Sequence, residues 1–239
     1  MATMTLDDLV TQLRAAYGSH LTAVVLYGSA ATAEHQGRKG DHDVLVLLDQ
    51  FEPAMVAAAS AVARAWRDAG NPPPMTMTAD EWRRSSDVFP MEYSDILERH
   101  RVLHGSAPFG DTSVSPDHLR LQLEQQVLGK LLHLRQGALL AGTDGKRQLE
   151  LIAASFSTMM VLFRAVLRLH REKPAPNHVA LAERVAALAG LDATPFVRAA
   201  RHVRGEAKLS ATDAGPVLAG YLSGIERLNA YLDRYGSAP

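Results

Sequence analysis

The sequence predicts an α+β protein in two parts: a small α/β domain with a mixed sheet over residues 1–108, then an all-α helical bundle over residues 115–239. Three observations carry this. Two apolar runs, "LTAVVLY" and "DVLVLL", have the length and Val/Leu content of buried strands, and helical patterns alternate with them. The stretch "GSAPFGDTSVSP" breaks the pattern with Gly, Pro and Ser near residue 105. Beyond it, every periodic segment is helical, as in a bundle.

The elements follow in order. Thr5 caps a first helix from Leu6 to Tyr17, with Asp8 near its positive end and Gly18 to close it. Leu21 to Tyr27 is a strand. After the Gly28-Ser29 turn, "AATAEH" reads as a short helical turn and "GRKGD" as loop, ahead of the second strand. A helix starts at Pro53 and ends at Gly70. "PPPMTMTA" leads into a third strand. Ser85 to Leu103 reads as a helix containing Ile96, Leu97 and Arg101, then a short edge strand near Val102. In the bundle, Ser115-Pro116 starts a helix reaching about Leu140, with Leu121, Leu128, Leu131 and Leu132 along one face. A second runs from about Arg147 to Arg171 and stops before Pro174. Asn177 caps a third, closed by Gly190; Thr194-Pro195 starts a fourth, closed by Gly205; the last covers about Ala214 to Arg234.

Composition narrows the function classes. The chain has 239 residues, is 47% hydrophobic and 21% charged, and carries a net charge of -1, so a basic surface for duplex nucleic acid is not indicated. It has no cysteine, which excludes disulfides, thiolate metal sites and a cysteine nucleophile. "MATMTLDDLVTQL" lacks the layout of a secretory signal, and "LIAASFSTMMVLF", flanked by Glu150 and Arg164, is too short to span a membrane. The expectation is a cytoplasmic protein without a membrane partner.

The chemistry concentrates in "YGSA" and "GDHDVLVLL". On a strand, residues two apart share a face, so Asp41 and Asp43 project together while His42 points away. Two adjacent carboxylates repel unless something positive lies between them. Mg2+ suits the position, because it takes oxygen ligands from one or two carboxylates plus substrate phosphates. Gly28 permits a tight turn and close approach of a phosphate, and Ser29 offers a hydroxyl. Arg38 and Lys39 precede the pair, and Lys39 can meet a triphosphate as a point charge.

These residues resemble the nucleotidyltransferase superfamily that includes DNA polymerase β, whose pattern is Gly-Ser after one strand and Asp-x-Asp opening the next. The segment is most similar to bacterial members with an appended helical bundle, such as the aminoglycoside adenylyltransferases. "FPMEYSDILERHRVLHG" and "HLRLQLEQQVLGKLL" look like segments of bacterial nucleotidyltransferase-domain proteins. The resemblance implies transfer of a nucleoside monophosphate, AMP from ATP, to a hydroxyl of a small molecule or protein, with release of pyrophosphate. It implies two Mg2+ ions held by Asp41 and Asp43, and a nucleoside triphosphate met by Gly28, Ser29 and Lys39.

The chain departs from that pattern on its third strand, where members usually carry another carboxylate and this sequence has Met75, Thr76, Met77 and Thr78. Asp80 and Glu81 at the far end read better as surface acids. Glu92 is the candidate third catalytic carboxylate. The missing strand acid motivates a second class of function, a catalytically weak nucleotide-binding regulatory or antitoxin-like module. Arg164 and His170 in "RAVLRLH" have a spacing similar to the arginine-histidine pair of HEPN ribonucleases, but the neighbouring Arg168, Arg171 and Lys173 favour a basic helix end.

Overall fold

Thr5 opens the first helix through a reciprocal cap. Its hydroxyl accepts the Asp8 N–H at 3.1 Å, and the Asp8 carboxylate accepts the Thr5 N–H at 3.0 Å. The structure, a computed structural model, describes residues 4–31, 42–173, 175 and 177–236. Two compact units make up the chain, residues 1–114 and 115–239.

The first unit runs α1 (Leu6–Tyr17), β1 (Leu21–Tyr27), β2 (Asp43–Leu48), α2 (Pro53–Asp68), β3 (Met75–Thr78), α3 (Ala79–Arg84), α4 (Pro90–Glu98) and β4 (His100–Gly105). The sheet has the order β3-β2-β1-β4. β1 is antiparallel to β2 and β4, and β2 is parallel to β3, so the sheet is mixed. Both faces are covered, which is why β1 and β2 are continuously apolar rather than alternating. Val24, Leu26, Val44 and Val46 face α1 and α2, with Leu9, Leu13 and Trp66. Ala23, Val25, Leu45 and Leu47 face the other way, with Trp82, Tyr93 and Ile96 from α3 and α4.

The stretch from Ser85 to Leu103 differs from its sequence reading. The helix ends at Glu98, and Arg101 lies in β4 opposite Leu26. The outer edge of β1 gains ladder partners only if the chain extends at once, and Arg99 leaves the helix with φ -136°. Gly105 ends the strand at φ +71°, where a Cβ would sit 1.9 Å from the Thr22 carbonyl oxygen. Asp80 and Glu81 open α3, and Glu81 completes a cap by accepting the Thr78 N–H at 2.7 Å.

The second unit contains α5 (Pro116–Ala141), α6 (Gly145–Leu169), α7 (His178–Ala189), α8 (Thr194–Val203) and α9 (Ala211–Arg234). α6 is its centre, with Ile152, Phe156, Met159, Met160 and Phe163 buried. By length and composition α6 is apolar enough to cross a membrane, and burial in the unit accounts for that apolarity. The face of α5 that packs inward is Leu119, Leu123, Val127, Leu131 and Leu134. Of the four leucines expected on one face, only Leu131 belongs to it; Leu121, Leu128 and Leu132 are exposed. Arg164 reaches toward His178 at 3.5 Å, whereas His170 meets the Tyr231 hydroxyl at 2.5 Å.

At the start of α9, the Asp213 carboxyl is held down at about 2 by the Ser210 hydroxyl, then by Arg198 and the Ser210 N–H. A depressed carboxyl stabilises the fold fully above its ordinary 3.8 and loses that contribution as pH falls toward about 2. Asp213→Asn is therefore expected to flatten the acid limb of melting temperature against pH over that window. An unchanged acid limb contradicts this assignment.

Candidate active site

β1 ends and β2 begins at the same end of the sheet, because the two strands are antiparallel and Tyr27 pairs with Asp43. His100, the first residue of β4, also pairs with Tyr27, so the end of α4 reaches the same place. The side-chain alternation then sorts the residues. His42 turns toward α2: its Nδ1 lies 3.1 Å from the Oδ1 of buried Asn71, and its ring is 6.0 Å from that of Trp66. Asp43, one residue on, takes the opposite face with Tyr27, the side on which α4 packs. His42 thus points away from Asp43, as the sequence predicts.

Gly28 sits at the meeting point. Its φ of +72° is a left-handed conformation, and a Cβ there would lie 3.4 Å from Asp43 Oδ2 and 3.6 Å from Asp95 Oδ2. Two carboxylate oxygens from different elements therefore flank one bare backbone position. The Gly28 N–H donates to the Arg99 carbonyl at 3.0 Å, which pins the turn to the end of α4 and leaves that amide engaged. Ser29 continues from it in a single 3-10 turn, Gly28–Ala31.

Asp95 is the functional candidate that the sequence reading missed. It is one helical turn after Glu92 on α4, and the two share a face. Arg99, a turn further on, forms an ion pair with Asp95, and both side chains are mostly covered. That guanidinium offsets the repulsion between the Asp95 and Asp43 carboxylates. The Tyr27 hydroxyl registers the whole cluster. Burial first, then the negative charges of Asp43, Asp95 and Glu92, push its pKa well above the usual tyrosine range. Glu92 is exposed and lies beyond the 4 Å sphere around Gly28 that holds Asp43 and Asp95. The readable signal for Asp95 is the Glu-x-x-Asp spacing in "MEYSD".

Asp41, Arg38 and Lys39 lie outside the described residues. Among the described residues, no group of three or more His, Asp or Glu side chains is arranged to hold a metal ion. The donor set present at Gly28 does fit a hard divalent cation, since it offers carboxylate oxygens from β2 and α4 beside a position kept clear of any side chain.

No family model matches the chain, and no curated protein matches it. Among solved structures the chain is similar to spectinomycin adenyltransferase AAD(9) from Enterococcus faecialis, crystallised with ATP and spectinomycin. The TM-score is 0.60 at 12% identity, over 96% of this chain and 100% of that one. The likeness establishes the fold: an α+β domain followed by a helical region.

Proposed function

We propose that the chain is a nucleotidyltransferase that moves AMP from ATP to a hydroxyl of a small molecule and releases pyrophosphate. The observation that carries this is the approach of Asp43 and Asp95 oxygens to the bare Gly28 turn. The fold shared with an adenyltransferase crystallised with ATP and spectinomycin supports the reading.

In the proposed site, Asp43, together with Asp41, would hold Mg2+. Bound Mg2+ neutralises charge on the triphosphate and on the departing pyrophosphate. Gly28 and Ser29 form the turn that lets the phosphates come close, and Lys39 supplies positive charge. The acceptor oxygen forms a bond to the α-phosphorus, the bond from that phosphorus to the β-bridging oxygen breaks, and the acceptor proton passes to a carboxylate. Asp95 is placed for that proton, because its Oδ2 faces the turn while Arg99 engages its Oδ1. Glu92, on the same face, borders the site.

Labelled ATP, Mg2+ and a panel of hydroxylated small molecules test the proposal. Acceptor-dependent release of pyrophosphate is expected. Asp95→Asn is expected to lower turnover at least about 100-fold, in the range of a lost general base, and Glu92→Gln by less than about tenfold on the same scale. The reverse order would assign the third carboxylate to Glu92. The acid-free β3 strand favours the second reading, a nucleotide-binding regulatory module. Tight binding of ATP with no turnover on any acceptor would select it.

A further inference from the structure

α5 carries two apolar faces. One is buried in the second unit. The other consists of Leu121, Leu128, Leu132 and Leu139, exposed to 54%, 43%, 49% and 83%. At 3.6 residues per turn, their spacing keeps all four within a stripe about 40° wide, on the side of the helix away from the core. A continuous leucine stripe of this kind on a surface helix marks an interaction site.

The order of residues along the stripe specifies what covers it. The leucine intervals are seven, four and seven residues, so the stripe reads the same in both directions. A two-fold axis level with Lys130 therefore brings Leu121 against Leu139 of a second copy, and Leu128 against Leu132 of that copy. The flanks obey the same symmetry. On one side Glu124 comes within one residue of the level of Arg135 of the second copy, and on the other Gln125 comes within one residue of the level of Gln136. Glu124 already accepts from Arg120 at 2.7 Å, and Arg135 donates to Glu226 at 2.8 Å. Facing copies would join these pairs into one alternating row of charge. Antiparallel helices also set opposite dipole ends side by side.

We infer that α5 is the self-association face of this protein: two copies pair their α5 helices antiparallel about Lys130, in an isologous dimer. The occupant is a second copy because the leucine spacing and the Glu124–Arg135 complementarity are both self-complementary.

Sedimentation equilibrium of the full chain tests the state, and cysteine pairing tests the register. The wild-type protein is expected to sediment as a dimer. Leu128→Glu with Leu132→Glu is expected to weaken association at least a hundredfold while the far-UV circular dichroism is retained. The chain has no native thiol, so introduced cysteines report cleanly. Mixed Leu121→Cys and Leu139→Cys chains should cross-link to each other under mild oxidation, and neither should cross-link to itself. A wild-type monomer at every concentration, a dimer that survives the double glutamate variant, or self-linking of Leu121→Cys would each overturn the inference.

Discussion

Asp43→Asn is expected to lower nucleotidyl transfer about 100- to 1,000-fold, while the melting temperature stays within a few degrees of wild type. The two halves of this expectation have separate causes. Asparagine keeps the shape of aspartate but not its charge, and the Asp43 carboxylate begins β2 beside Gly28, with Asp95 across the turn. Removing a charged group that acts on developing charge in an enclosed site costs about 3–4 kcal/mol, and each 1.36 kcal/mol is about tenfold in rate. Stability behaves differently, because Val44 to Leu48, all buried, hold the strand. Loss of one of two neighbouring negative charges also relieves repulsion. Steady-state pyrophosphate release and a thermal melt check both halves. A variant that is inactive because it is unfolded would not support the assignment, and one with near-normal turnover would refute it.

Trp82→Ala is expected to destabilise the first unit by about 3–5 kcal/mol, the usual cost of truncating a large buried aromatic. Trp82 has no solvent exposure. Its ring stacks on Tyr93 at 4.0 Å and meets Phe109 at 4.9 Å, and its Nε1 donates to the Thr112 hydroxyl at 3.1 Å. The Tyr93 hydroxyl donates to the Trp82 carbonyl at 2.7 Å, which ties α4 to α3. Since a domain is stable by only about 5–15 kcal/mol, the variant should lie near the limit of folding. Transfer activity should fall with it, because α4 carries Asp95. Denaturant titration measures the loss, and a shift below about 1 kcal/mol would be too small for a fully buried ring. Trp82→Phe, which keeps much of the stacking, should recover most of the stability.

The parts of the fold with a single physical reason were legible in the sequence. β1 and β2 are buried on both faces, and their continuous Val/Leu runs say so. Thr5, Pro53, Asn177 and Pro195 mark helix starts through capping and ring geometry, and the helices begin beside them. β4 was harder to read because it is an edge strand. His100, Arg101 and Val102 are all exposed, and such residues carry no strand periodicity. α5 misled for the opposite reason. Leucines on both sides of one helix give two periodic stripes, and spacing does not say which one meets the core. Asp95 is hidden behind Glu92, the acid one turn earlier on the same helix that the sequence favours; the Gly28 N–H to the Arg99 carbonyl pins the end of α4, so the later acid is the one brought to the turn. Such a meeting of elements distant in sequence depends on sheet order, which local pattern does not encode.

The central claim is that a divalent ion and the triphosphate meet at Asp43 and the Gly28 turn. A crystal grown with Mn2+ and a non-hydrolysable ATP analogue, measured for anomalous scattering, tests it most directly. The account predicts a metal peak about 2.1 Å from an Asp43 carboxylate oxygen, at ordinary metal–oxygen bonding distance, with the phosphates packed against Gly28. A nucleotide bound elsewhere, or a metal peak that leaves Asp43 uncoordinated, would contradict it.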